Sequence, residues 1–420
     1  MKLRRVVVTG LGTVSPLGND CPTTWENAVN GVSGAGPITH FDAYLFKTQF
    51  ACELKGFDPT MGLDRRDLRK VDVVAHYGVA SAVEAMKDSG LDLEKEDCSR
   101  IGVIYGEGIG GIVSLEDEGR THALSQENGP RFSPFLITKM ISDMTTGIIS
   151  IKYGLKGPNY VTTSACASSS NAIIDAFDQI RLGRADVIVA GGAEAAVSPV
   201  GVGGFNAMHA LSTRNDDPKG ASRPFSKSRD GFVIGEGAAT LILEEYEHAV
   251  ARGAKIYAEI AGTGLSADAY HITSPHPDGE GAMSVMRAAV EEAGLQLTDV
   301  DYINVHGTST YAGDIAEAKA IRNLFGEHAY KLNISSTKSV TGHLLGAAGA
   351  MEALLTVMAI KNGVVPPTIN HAEGDEDPEI DYNMNFTFNK AQKRDIKVAL
   401  SNTFGFGGHN ASIAFKKVEG

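Results

Sequence analysis

Short apolar runs rich in β-branched residues recur along the chain, several of them closed by glycines and followed by residues of helical period. Val6-Val-Val-Thr-Gly-Leu-Gly is the first and Ile101-Gly-Val-Ile-Tyr-Gly the second. Asn159-Tyr-Val-Thr-Thr leads into a segment whose apolar positions, Ala172, Ile173, Ala176, Phe177 and Ile180, share one helix face. Ala185-Asp-Val-Ile-Val-Ala-Gly-Gly and Ala239-Thr-Leu-Ile-Leu-Glu follow. Strands apolar on both faces, alternating with helices, require a sheet covered on both sides, so the pattern predicts an α/β protein. The 48 glycines are about 11% of the residues against a usual ~7%, which fits many tight strand-to-helix turns.

The second half replays the programme. Ile256-Tyr-Ala-Glu-Ile-Ala-Gly resembles the opening strand, and Tyr302-Ile-Asn-Val-His-Gly resembles the strand at 101. Asn333-Ile-Ser-Ser precedes a glycine-rich turn and a helix expected from Leu344 to Lys361. Lys397-Val-Ala-Leu-Ser-Asn and Ala411-Ser-Ile-Ala-Phe are the last strands. The repeat is one of pattern rather than identity. It predicts a duplicated unit dividing near residue 255, with halves 1–255 and 256–420. His371 to Pro378 reads as a surface loop.

With 38 Lys+Arg and 51 Asp+Glu the net charge is −13, which disfavours nucleic acid as a partner because phosphate binding needs excess cationic side chains. Cys21, Cys52, Cys98 and Cys166 are scattered, with no C-x-x-C pair. They form neither a disulfide framework nor a zinc ribbon, so a cytoplasmic protein without a structural metal is expected. The apolar start after Arg4 and Arg5 is soon interrupted by Thr9, Gly10, Gly12 and Pro16, and reads as a strand rather than a signal peptide. Ser339 to Ile360 is long and apolar, but His343, Glu352 and its glycines make it a buried helix rather than a membrane span.

Gly106-Glu-Gly108-Ile-Gly-Gly111 matches G-x-G-x-x-G after a strand, but no following strand brings an acidic residue about 20 positions on, so a glycine turn is the better reading. The chain has no G-x-S-x-G, G-x-x-x-x-G-K-[ST] or H-E-x-x-H. Thr163-Ser-Ala-Cys166-Ala-Ser-Ser-Ser is more informative. It places a thiol at the join of a strand and an amphipathic helix, where the macrodipole favours thiolate. The small neighbours leave room for a bulky thioester. A buried structural cysteine is the alternative. His306, in Val305-His306-Gly-Thr308-Ser-Thr310, ends a strand, and His343, in Thr341-Gly-His343-Leu-Leu-Gly, starts a helix. α/β folds place reactive groups at such positions, although a lone His is more often structural. Lys338 lies five residues before His343, either solvated or partly buried against a carboxylate or imidazole. Asn402-Thr-Phe404-Gly-Phe406-Gly407-Gly408 is a hairpin whose glycines admit close backbone approach to a ligand and movement of Phe406.

Taken together, these motifs resemble the β-ketoacyl-acyl carrier protein synthases of the thiolase superfamily, most closely the elongating type II enzymes. The likeness runs from Val6 to the Gly-Phe-Gly-Gly segment. It includes the Cys-His-His order with an intervening Lys, Ala190-Gly-Gly-Ala-Glu194, Ala210-Leu-Ser-Thr-Arg-Asn215, Arg223-Pro-Phe225, Arg229-Asp-Gly-Phe-Val233, Ala269-Tyr-His-Ile-Thr-Ser-Pro275 and Val365-Pro-Pro-Thr-Ile-Asn370.

The resemblance implies a thiolase-like fold of two pseudo-symmetric halves layered α-β-α-β-α, a homodimer, and decarboxylative Claisen condensation. Cys166 would carry the acyl chain as a thioester. His306 and His343 would stabilise the enolate left by malonyl decarboxylation, and Lys338 would support His343. Thr308 and Thr310 would contact the pantetheine arm, and the N–H groups of Cys166 and Phe406 would form the oxyanion hole. Phe406 would gate access, Phe404 and Gly407 would bind substrate beside it, Ile109 and Phe205 would line the acyl pocket, and Glu352 would be a buried structural acid. No metal or redox cofactor is implied. The partner would be acyl carrier protein, itself acidic, so a local basic patch is needed: Arg65, Arg66, Arg69 and Lys70, with Arg131 second. His209 stands where relatives carry Arg. A coenzyme A thiolase would need a second cysteine near the C-terminus, and none follows Cys166. A non-catalytic chain-length subunit would lack Cys166. A ketosynthase of a polyketide or polyene pathway would share all of these motifs.

Overall fold

The computed structural model describes residues 3–418. The chain opens with β1 (Val6–Val14) and α1 (Cys21–Val29), then an excursion holding the two-residue strands β2 (Gly36–Pro37) and β3 (Phe50–Ala51). Next come α2 (Val73–Ser89), β4 (Ile101–Gly106), α3 (Ile112–Leu124), α4 (Leu136–Met140), α5 (Met144–Tyr153), β5 (Asn159–Thr162), α6 (Ser168–Arg181) and β6 (Val187–Glu194). They are followed by α7 (Pro199–Ala207), β7 (Gly237–Glu245) and α8 (Tyr246–Ala251). The rest of the chain contains β8 (Ala258–Ala267), α9 (Glu280–Glu292), β9 (Tyr302–Asn304), α10 (Tyr311–Phe325), β10 (Asn333–Ser335), α11 (Lys338–Thr341), α12 (Ala348–Asn362), β11 (Val364–Val365), β12 (Gln392–Lys393), β13 (Val398–Gly405) and β14 (His409–Lys416).

Ten strands form one continuous sheet in the order β10-β9-β13-β14-β8-β1-β7-β6-β4-β5. It consists of two quintets joined where Val6–Val8 of β1 pairs with Ala258–Ile260 of β8. The quintets match strand for strand. β1 pairs antiparallel with β7 as β8 does with β14, and β7 with β6 as β14 does with β13. The parallel pairs β6–β4–β5 answer β13–β9–β10. Helices α6 and α12 lie against each other between the quintets, with α2 and α9 on the outer faces, which gives five α-β-α-β-α layers. Burial explains the composition of the middle layer. In α12 nearly every residue from Ala348 to Ile360 is buried, so the helix is apolar all round.

Two expectations change. The glycines of the opening run do not end the strand, because β1 continues through Gly10 and Gly12 to Val14. Their role is close packing: a Cβ on Gly12 would lie 2.2 Å from the Ser81 carbonyl oxygen of α2, and one on Gly10 would lie 2.5 Å from that of Ala85. The helix expected from Leu344 is also interrupted. His343 sits in the turn between α11 and a 3₁₀ turn at Leu345–Ala347, and α12 begins only at Ala348. Leu345, at φ +48°, accounts for the break. Among the described residues no helix is long and apolar enough to cross a membrane.

Candidate active site

Cys166 occupies the sharp turn from β5 into α6, just after Ala165 in the left-handed region at φ +52°. The Ser168 hydroxyl fixes this turn by accepting the Ser164 N–H and donating to the Ala165 carbonyl. The small residues after the cysteine serve close packing and do not open the space for a thioester that their size suggests. Ser168, Ser169 and Ser170 are buried, because α6 must pass close to its neighbours. A Cβ on Gly106 would touch the backbone of Ser168 and Ser169 at 2.2 Å, and one on Gly349 of α12 would meet Ser170 Oγ at 2.1 Å.

The two histidines come from the other half. His306 follows β9, and its N–H and that of Gly307 donate to the Glu317 carboxylate of α10 at 2.9 and 2.8 Å. His343 is held by its own backbone: its N–H donates to the Val233 carbonyl at 2.8 Å, and its carbonyl accepts the Gly235 N–H at 2.9 Å. Its Nε2 lies 3.1 Å from Cys166 Sγ. The two imidazoles meet nearly edge to face with centroids 5.3 Å apart. Phe232 stands against His343 and Phe404 against His306. Lys338 is buried and bonded to the Glu352 carboxylate of α12.

Burial sets the charge states. Enclosure first, then the Lys338 cation, holds His343 well below the usual histidine range, and His306 likewise, with His343 adding to the effect. Both rings are neutral near pH 7. Their Nδ1 atoms are buried without a partner. An unpaired buried N–H is more costly than an unpaired lone pair, so the proton is assigned to Nε2 in each ring. The site thus holds two neutral imidazoles packed together, with His343 Nε2 facing the sulfur. Burial raises the Glu352 and Glu317 carboxyls to about 7, opposed by Lys338 at Glu352 and by the Gly307 and His306 N–H groups at Glu317.

The thiol departs from expectation. Burial pushes Cys166 from an ordinary 9.0 up to about 12, opposed by Lys338 and by a hydrogen bond from the Phe406 N–H. A helix terminus contributes about 0.3–1 kcal/mol, under one pKa unit at 1.36 kcal/mol each, so burial wins. The resting group is a thiol, and the Phe406 N–H and His343 Nε2 mark where negative sulfur would be received.

These groups line a cavity of about 240 Å³, together with Phe205, Thr308, Thr310, Phe404, Phe406 and Gly408, and with Thr273, Ser274 and His276. The Thr308 and Thr310 hydroxyls bond each other at 2.9 Å. Gly407 is exposed at φ +87°, and its N–H donates to the Ile272 carbonyl. Ile109 stands apart from this cavity, contrary to its expected place on the pocket wall. Gly110 at φ +68° and the Glu194 carboxylate, which accepts the Gly108 and Ile109 N–H groups, turn that segment away and leave Ile109 39% exposed. Arg65, Arg66, Arg69 and Arg131 are exposed, whereas Lys70 is engaged by Asp67. Glu317 and Phe232 are further residues of the site to which the sequence motifs assign no role. The one signal for Glu317 was an acid at a buried position of a helix following the His306 strand.

Comparison with known proteins agrees with this geometry. Residues 3–249 match the family model of the β-ketoacyl synthase N-terminal domain, and residues 257–372 match that of the C-terminal domain. The chain is 49% identical over 419 residues to 3-oxoacyl-[acyl-carrier-protein] synthase 2 of Coxiella burnetii, covering 100% of both chains. It is 48% identical over 420 residues to the protein of that name from Vibrio harveyi, again covering 100% of both. Among solved structures, a β-ketoacyl synthase from Burkholderia phymatum superposes with TM-score 0.89 at 37% identity, covering 99% of this chain and 100% of that one. The ishigamide ketosynthase/chain length factor superposes with TM-score 0.90 at 32% identity and the same coverage. With a thiol, two neutral imidazoles and a buried Lys–Glu pair gathered between matched halves, and with family matches spanning both, the chain belongs to the β-ketoacyl synthase family.

Proposed function

We propose that this chain is a 3-oxoacyl-acyl carrier protein synthase II, an acyltransferase of fatty-acid elongation. The observation that carries the mechanism is the placement of His343 Nε2 3.1 Å from Cys166 Sγ, with the His306 ring beside it. In the first half-reaction the sulfur of Cys166 attacks the acyl-carrier thioester. The Cys166 and Phe406 N–H groups receive the developing oxyanion. The carrier's thiol leaves with the proton that Cys166 gives up. In the second, malonyl-carrier enters a cavity whose described walls hold no Lys or Arg. The malonyl carboxylate therefore finds no counter-ion, and loss of CO₂ removes an uncompensated charge. The electron pair left behind becomes an enolate whose oxygen accepts from the two Nε2–H groups. The α-carbon then attacks the Cys166 thioester, the C–S bond breaks, and the sulfur takes up a proton. The products are 3-oxoacyl-carrier, CO₂ and free thiol. The order is ping-pong.

In this reading the halves 1–255 and 256–420 supply nucleophile and donors respectively, a division supported by the matched strand orders. Thr308, Thr310 and Phe205 accompany the pantetheine and acyl chain, Phe404, Phe406 and Gly407 form the gate, and Ile109 joins a pocket completed by a second copy. In this reading the protein is cytoplasmic and a homodimer, and the exposed apolar side chains Leu115, Leu124, Ile137 and Ile151 on α3, α4 and α5, the last packed on the edge strand β5, support the dimer. The carrier docks through Arg65, Arg66, Arg69 and Arg131. Identity near 48–49% to the fatty-acid enzymes, against 32% to the ishigamide polypeptide, favours elongation over a polyketide pathway.

The test is the intact mass of the protein after incubation with acyl carriers of different chains, then with malonyl carrier. A gain from saturated or mono-unsaturated long chains, discharged by malonyl carrier, is expected. Labelling by polyenoyl or aryl chains alone would assign the chain to a specialised pathway.

A further inference from the structure

The excursion between α1 and α2 crosses the outside of the turn that carries His343. The Gly34 N–H donates to the Val340 carbonyl, and a Cβ on Gly342 would lie 2.7 Å from Cys52 Sγ. The Cys52 N–H donates to the Ile234 carbonyl, and the Cys52 carbonyl accepts the Glu236 N–H. The same stretch, Val233 to Gly235, holds both the N–H and the carbonyl of His343. The backbone at 233–236 is thus a rib with the excursion on one edge and His343 on the other.

One side chain fastens the excursion to this rib. His40 Nε2 lies 2.8 Å from Glu236 Oε1, and its Nδ1 is 3.9 Å from Glu53 Oε1. Both carboxylates are buried, at 2% and 6% exposure. Glu53 also accepts the Thr39 N–H and hydroxyl and the His40 N–H. Glu236 accepts the Leu54 N–H and faces the Tyr77 phenol of α2. Among the described residues no Lys or Arg forms an ion pair with either acid. A buried carboxylate without a cation is costly, so the charge of this pair falls to the one imidazole between them.

We propose that protonated His40 is a positioning residue for His343, latching the excursion to Glu236 so that the 233–235 backbone holds His343 against Cys166. This rests on the reading of His343 as an enolate-stabilising group. The hydrogen bond to Glu236, above all, raises His40 from its ordinary 6.5, with the nearby Glu53 charge adding to it. A raised His pKa gives an interaction fully present below the unfolded value and lost as pH climbs through the folded one. The latch therefore opens above pH 6.5, on the alkaline side.

The test compares wild type with His40→Gln, which keeps an N–H donor but no charge, and His40→Arg, which keeps the charge. The readouts are CO₂ release from malonyl carrier by pre-acylated enzyme, and hydrogen exchange at the His343 amide, from about pH 6 to about pH 9. At the acid end His40→Gln is expected to lower kcat about tenfold with KM within about twofold, and to speed exchange at His343. The ratio of wild type to His40→Gln should fall toward one as pH rises, while His40→Arg holds its activity and protection across the range. A ratio that does not change with pH, or a His343 amide equally protected in all three proteins, overturns the latch. Wild type that releases no CO₂ refutes the proposed function, and amide exchange then still decides the latch.

Discussion

The turns β5→α6 and β10→α12 occupy matching places in the two quintets, yet they are built differently. The first runs from Thr163 to Ala167 and delivers Cys166 directly onto a helix start. The second runs from Ser336 to Ala347, with α11 and a 3₁₀ turn inserted, and delivers Lys338 inward and His343 across to the sulfur. A duplicated scaffold thus presents two corners to one cavity. The short corner carries the nucleophile, and the long corner sets an imidazole donor beside it. The long corner also brings a buried cation that adds to burial in keeping both imidazoles neutral. The difference teaches that the division of labour lies in the length of one turn rather than in the sheet.

Removing the short corner's group has the largest expected effect. Cys166→Ala should leave no acyl adduct by intact mass and lower kcat/KM by about 10⁴-fold or more. A retained adduct would place the nucleophile elsewhere and dissolve the comparison. Next comes the cation of the long corner. Lys338→Met leaves Glu352 buried and unpaired, a loss of about 3–5 kcal/mol in denaturant unfolding, and adding Glu352→Gln should restore most of it. The same double variant sharpens the electrostatic part. Lys338 holds His306 and His343 down, so without it their pKa values rise and the acid limb of CO₂ release moves to higher pH. An unmoved limb would mean burial alone keeps the rings neutral. Smallest is the carrier patch, outside both corners. Arg65→Glu with Arg66→Glu should raise KM for the acidic carrier about 3–10-fold at low salt, fading as salt is added. Lys70→Glu should do less, because Asp67 already engages it. Equal effects from all three positions would contradict that ranking.

The long corner also shows what sequence makes visible. Polar residues such as His306, His343 and Lys338, set among glycines at the ends of apolar strands, announce themselves, because a core strand has no other use for them. The alternation of strand and helix announced the sheet in the same way. What stayed hidden depends on approach between distant segments. Gly10 and Gly12 looked like a turn because the helix that needs their missing side chains lies some seventy residues on, at Ser81 and Ala85. Ser168 to Ser170 looked like room for substrate because α12 was not yet beside them. The Cys166 thiol looked activated because a helix start is local, whereas the burial that outweighs it is not.

The most direct test of the divided corners is single-turnover kinetics of His306→Ala, which removes a ring lining the cavity and leaves the His343 contact to the sulfur in place. Acyl transfer to Cys166 is followed by intact mass, and discharge by CO₂ release from malonyl carrier. The account predicts acylation within a few-fold of wild type and CO₂ release lower by about 10²–10³-fold. Acylation and discharge falling together, or discharge left intact, would contradict it.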